Sequence, residues 1–102
     1  MFKFISYSVL AVQAIAFSRR LNVAVVTDVH IGESCGGNLS MEHCKPVRAL
    51  TDVVNHINSM KSIDAVFATG DLTASALSTE FQKFRDIMDG LQVPWWPLLG
   101  KA

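Results

Sequence analysis

Apolar residues recur along this chain with two different periods. Val23-Ala24-Val25-Val26-Thr27 is a β-branched run, apolar almost throughout, the pattern of a strand covered on both faces. Asp28 to Lys45 breaks the pattern with Gly32, Gly36 and Gly37 and reads as a long loop. From Pro46, suited to a first helical turn, Val47, Leu50, Val53, Val54, Ile57 and Met60 follow at three- and four-residue steps. That spacing predicts an amphipathic helix. Ile63 to Ala68 repeats the strand pattern and runs into Thr69-Gly70-Asp71. A second helix is predicted from Ser78, as its cap, with Glu80 in the first turn and Gly90 as the stop. Phe81, Phe84, Ile87, Met88 and Leu91 form its apolar stripe. Val93 to Leu99 predicts a third strand, irregular or near an edge because it carries Pro94 and Pro97. The order strand–helix–strand–helix–strand implies an α/β fold, with parallel strands joined by right-handed crossovers.

The first twenty residues follow neither period. Lys3 precedes an apolar run from Phe4 to Phe17 that holds no carboxylate, and Ala14-Ile15-Ala16 has the small-x-small form of a signal-peptidase site. The run is shorter than the roughly 17–25 residues of a spanning helix, so no stable membrane span is expected. Residues 1–16 are therefore expected to be a signal peptide cleaved near Ala16, with 17–102 as one domain that is secreted or held in the secretory-pathway lumen. The alternative is an amphipathic or buried N-terminal helix.

Composition narrows the choice of function. The 102 residues carry nine Lys+Arg and nine Asp+Glu, for a formal charge of zero. No broad field attracts nucleic acid or an acidic membrane, and no nucleic-acid partner is expected. Hydrophobic residues make up 50% and charged ones 18%, which argues against disorder. The two cysteines, Cys35 and Cys44, bracket a short polar loop. In an oxidising compartment they are candidates for a disulfide that stabilises by roughly 2–3 kcal/mol. Asn38-Leu39-Ser40 inside that loop is a glycosylation acceptor, relevant to an exported chain. The alternative for the cysteines is a pair of free thiols.

Ligands of open α/β sheets gather at the carboxyl ends of the strands. The polar residues there are Asp28 and His30 after the first strand and Asp71 after the second, with Gly100 after the third. Residues two apart in extended chain point to one side, so Asp28 and His30 are predicted to converge on one cation. Carboxylate with imidazole suits zinc, manganese or iron. Gly70 lets the backbone turn so that Asp71 faces the same cleft, and a carboxylate with two oxygens is able to bridge two cations. Taken singly, each of these residues is more simply a loop cap or a hydrogen-bonded loop histidine. Their shared position at matching strand ends favours a site.

Val26-Thr27-Asp28-Val29-His30-Ile31-Gly32, Ala68-Thr69-Gly70-Asp71-Leu72-Thr73 and Val93-Pro94-Trp95-Trp96-Pro97-Leu98-Leu99-Gly100 resemble the first three motif regions of calcineurin-like metallophosphoesterases. The resemblance runs from about Asn22 to Gly100. It implies that Asp28 and His30 bind a first metal and that Asp71 bridges two divalent ions (manganese, iron, zinc or magnesium). It also implies hydrolysis of a small phosphomonoester or phosphodiester, with cations rather than a protein nucleophile carrying the chemistry.

The family's third motif continues as Gly-Asn-His, whereas Gly100 is followed by Lys101 and Ala102. The later His motifs are also absent, so no catalytic set is complete. The chain is thus expected to be a truncated N-terminal piece of the family fold, β-α-β-α-β with the second sheet missing and apolar surface uncovered. Two alternatives stand beside hydrolysis. One is a non-catalytic or degenerate remnant of the same scaffold. The other is a different α/β phosphatase-like domain, disfavoured because His30 stands where a haloacid-dehalogenase-like enzyme has its second Asp.

Overall fold

The computed structural model describes residues 3–7, 11–17 and 21–98, with side chains from Leu21 onward. Three strands, β3 (Leu21–Thr27), β4 (Ala65–Thr69) and β5 (Trp95–Leu98), run parallel. They are joined through the helices α1 (Lys45–Ser59) and α2 (Ser78–Met88). This is the α/β arrangement predicted from the two hydrophobic periods. The segment before β3 adds β1 (Lys3–Tyr7) and β2 (Ala11–Phe17), which pair antiparallel with each other and with β3. Its described residues are strand, where the alternative to a signal peptide had been a helix. The result is one five-stranded sheet in the order β1-β2-β3-β4-β5. No helix among the described residues is long and apolar enough to cross a membrane.

The helices cover one face of the parallel half. Ala24 and Val26 of β3 and Val66 and Ala68 of β4 point into a single core with Val47, Leu50, Val54 and Ile57 of α1 and Phe84 and Met88 of α2. The alternate positions form the other face, where the register aligns Val25, Phe67 and Trp96 across three strands. Phe67 and Trp96 pack with tilted rings, centroids 5.8 Å apart, yet Trp96 and Leu98 each remain 49% exposed. Apolar surface on this face is therefore uncovered among the described residues.

Each predicted element is present, with boundaries that chemistry explains. Ile63 is buried in the turn before β4 rather than within the strand. Pro94, which has no N–H to donate, lies just outside β5, its carbonyl accepting from the Val66 N–H at 3.0 Å. Ser78 does not cap α2; the cap position is Leu77, whose side chain has no acceptor, and Ser78 is the first helical residue. Phe81, assigned to the apolar stripe, is 41% exposed. The C-terminal ends of the helices are tied by Asn58, which donates to the Gly90 carbonyl at 2.9 Å and accepts from the Gln92 N–H at 2.8 Å.

Candidate metal centre

β3 and β4 lie in register, with Thr27 opposite Thr69, so the residues that follow them leave the sheet at the same level. The two loops stay joined beyond the strands. Asp28 N–H donates to the Gly70 carbonyl at 3.2 Å, His30 N–H to Asp71 at 3.0 Å and Ile31 N–H to Leu72 at 3.0 Å. Ala74 N–H returns a bond to Ile31 at 2.9 Å, completing a parallel bridge between Ile31 and Thr73. Every backbone group used here is one that a loop would otherwise leave to water.

This pairing brings Asp28, His30 and Asp71 together, as predicted, but by a different route. Extended chain ends at Thr27. Asp28, His30 and Asp71 all have left-handed backbone, with φ of 56°, 53° and 43°, and Gly70 has φ of 52°. Asp and His are among the residue types that tolerate this region. Val29 and Ile31, 1% and 0% exposed, are drawn into the core, and their neighbours Asp28 and His30 turn outward.

One donor atom from each of the three side chains lies within 4.8 Å of the others. His30 Nε2 stands 3.9 Å from Asp28 Oδ1, and Thr27 Oγ1 donates to the other carboxylate oxygen at 3.3 Å. Ligand bonds of about 2.0–2.2 Å place opposed donors on one ion roughly 4 Å apart. The exposed carboxylates have the rotational freedom to close that difference. Two carboxylates and one imidazole, partly open to solvent, fit a divalent transition ion.

The long loop after His30 is closed by a disulfide between Cys35 and Cys44, with Cα atoms 4.7 Å apart. Cys44 occupies the N-cap position of α1 and is fully buried, so the bridge anchors the loop to the helix start. Asn38 is exposed within it and accepts from the Ser40 N–H at 3.1 Å. His43 pairs with Ser40 Oγ at 3.0 Å, and His56 is exposed on α1; neither joins the three-residue cluster. Trp95 packs edge-on against Phe84 at 5.8 Å and donates from Nε1 to Asp89, a packing role. Gly100, Lys101 and Ala102, where the third motif was sought, lie outside the described residues.

Sequence reasoning missed one residue beside the site. Glu80, read only as a favourable charge in the first turn, is 5% exposed and lies against Gly32, two residues after His30. With Ser78 read as the cap, Glu80 stood only two residues beyond it. The structure puts the cap at Leu77 and so Glu80 at the third position, where a carboxylate reaches back to backbone N–H groups.

Fold and site together define an α/β domain with three side chains able to hold a metal ion, clustered at the carboxyl ends of two adjacent parallel strands. The chain is similar to the Probable glycerophosphodiester phosphodiesterase GpdQ of Arcobacter nitrofigilis, at 32% identity over 79 residues. The match covers 76% of this chain but 28% of that protein, so the chain spans little more than a quarter of its relative's length. No family model and no solved structure matches the chain.

Proposed function

We infer that this chain contributes to metal-dependent phosphoester hydrolysis and supplies the N-terminal part of a calcineurin-like metallophosphoesterase site. The observation that carries the reading is the convergence of Asp28, His30 and Asp71 at one rim of the sheet. The similarity to a protein named as a phosphodiesterase supports the choice of phosphoester over other metal-dependent substrates. Asp28 and His30 would hold a first divalent ion, and Asp71, with two carboxylate oxygens, would share it with a second. Ions held there would supply charge withdrawal from the phosphoryl group and activation of water. The chain's own part is to fix donor spacing through the bonds joining the two loops and to keep Val29 and Ile31 packed beneath them.

A second reading, metal binding without turnover, is favoured by the donor count: three groups come together among the described residues. Manganese titration followed by hydrolysis of bis(p-nitrophenyl) phosphate separates the two. Under the hydrolytic reading, turnover requires added manganese and Asp71→Ala abolishes it. Binding without turnover leaves the non-catalytic reading, and absence of binding overturns both.

Export belongs to the same proposal. Signal cleavage after Ala16, oxidation of Cys35 and Cys44 and glycan addition at Asn38 form one consistent set for a chain that enters the secretory pathway. The exposure of Asn38 supports it.

A further inference from the structure

Glu80 is the one charged side chain buried among the described residues. A buried carboxylate costs several kcal/mol unless its oxygens are matched by donors. Its Oε1 accepts from the Ser75 N–H at 2.9 Å and, more distantly, from the Leu77 N–H at 3.4 Å. These two bonds tie α2 back onto the loop that leaves Asp71. On its other side the carboxyl lies against Gly32: a Cβ built there would stand 2.8 Å from Glu80 Cδ and 3.2 Å from Cγ, and would collide with Oε2. Gly32 has φ of 104°, so both its backbone and the space over its Cα exclude a side chain.

Glu80 therefore touches both donor loops. Through Gly32 it meets the segment carrying His30. Through Ser75 and Leu77 it holds the segment carrying Asp71, whose Thr73 is already bridged to Ile31. Thr73 Oγ1 accepts from the Ala76 N–H at 3.0 Å and carries the connection along the loop. Helix capping alone does not account for the arrangement, because an exposed carboxylate at the same position would serve α2 as well.

We propose that Glu80 is a positioning residue that sets the spacing between His30 and Asp71 by wedging its carboxyl between Gly32 and the loop from Ser75 to Leu77. The inference rests on the reading of Asp28, His30 and Asp71 as metal donors, and it deepens that reading.

The test compares full-length wild type with Glu80→Ala, Glu80→Gln, Asp71→Ala and Val54→Ala. Val54→Ala is a core change on α1 that lowers stability away from the site. Manganese affinity is measured well below the melting temperature of each variant. Glu80→Ala is expected to weaken binding by roughly 10–100-fold, as loss of a partner that orients a ligand does. Glu80→Gln keeps an acceptor for Ser75 and Leu77 and is expected to stay close to wild type, and Val54→Ala to leave affinity unchanged. A wild-type affinity in Glu80→Ala, or an equal loss in Val54→Ala, overturns the proposal.

A metal-free readout separates this inference from the one beneath it. In the apo protein, Glu80→Ala should shift the amide resonances of Asp28, His30, Ile31 and Gly32, and Val54→Ala should not. If those resonances stay in place, Glu80 does not position the loop. If they move while neither wild type nor Asp71→Ala binds manganese, the positioning holds and the metal reading fails. Should Glu80→Ala not fold, Glu80→Asp, one methylene shorter, takes its place in both measurements.

Discussion

Asp28, His30 and Asp71 stand on left-handed backbone, and that conformation decides what each position tolerates. Asp and His accept it more readily than β-branched residues, so the side chains able to hold a cation are also among those able to make the turn. Sequence reasoning found this trio through residue type and position at strand ends. It mistook the local geometry, because the alternation of inward Val29 and Ile31 with outward Asp28 and His30 imitates a strand after the strand has ended. Dihedral angles of this kind leave no mark in a hydrophobic pattern. Gly70 offers a direct test. A Cβ there would meet only Thr27 Oγ1, at 3.5 Å, an ordinary contact. The cost of Gly70→Ala is therefore expected to be backbone strain of about 1–2 kcal/mol, read as a lower urea midpoint with unchanged slope. A much larger loss would show that the space over Gly70 matters as well.

At the scale of elements, both helices and all three parallel strands were legible, because each buries a continuous stripe or face. What escaped was the first turn of α2. Ser78 is a better cap by composition than Leu77, but Glu80 reaches back to Ser75 and Leu77 and closes the turn one residue earlier. Tertiary contact outweighed local preference there. The loop between His30 and α1 is closed by a covalent bond. Cys35 and Cys44 close a loop over a sequence separation of 9. Replacing both by alanine is expected to remove roughly 2–3 kcal/mol of stability in denaturant unfolding. A reducing agent should destabilise the wild type to a similar extent and leave the double variant unaffected. Equal stability of oxidised and reduced wild type would contradict this.

For the whole molecule, zero net charge and a strong hydrophobic content spoke for a packed domain without a polyanion partner. They said nothing of how the sheet is completed. In the structure, β1 and β2 extend it from the residues expected, on their composition, to be an export signal. Signal cleavage after Ala16 would remove β1 and all of β2 except Phe17, and β3 would become an edge. Intact-mass analysis of protein recovered from the medium of a secreting host checks the export proposal. The expected N-terminus is Phe17, and a product that retains Met1 would refute cleavage. The strand–helix alternation indicated parallel pairing, as found for β3, β4 and β5. Sheet order, however, was not readable from the periods, since strands of similar pattern are able to pair with any neighbour. The pairing of β3 with β4 has one more effect, because the same ladder continues past both strands into the polar rim. An ion bound as proposed would meet two segments already laced to each other, so much of the entropy of assembling its ligands would be spent when the chain folds. Capture would then ask little more than the turning of two carboxylates.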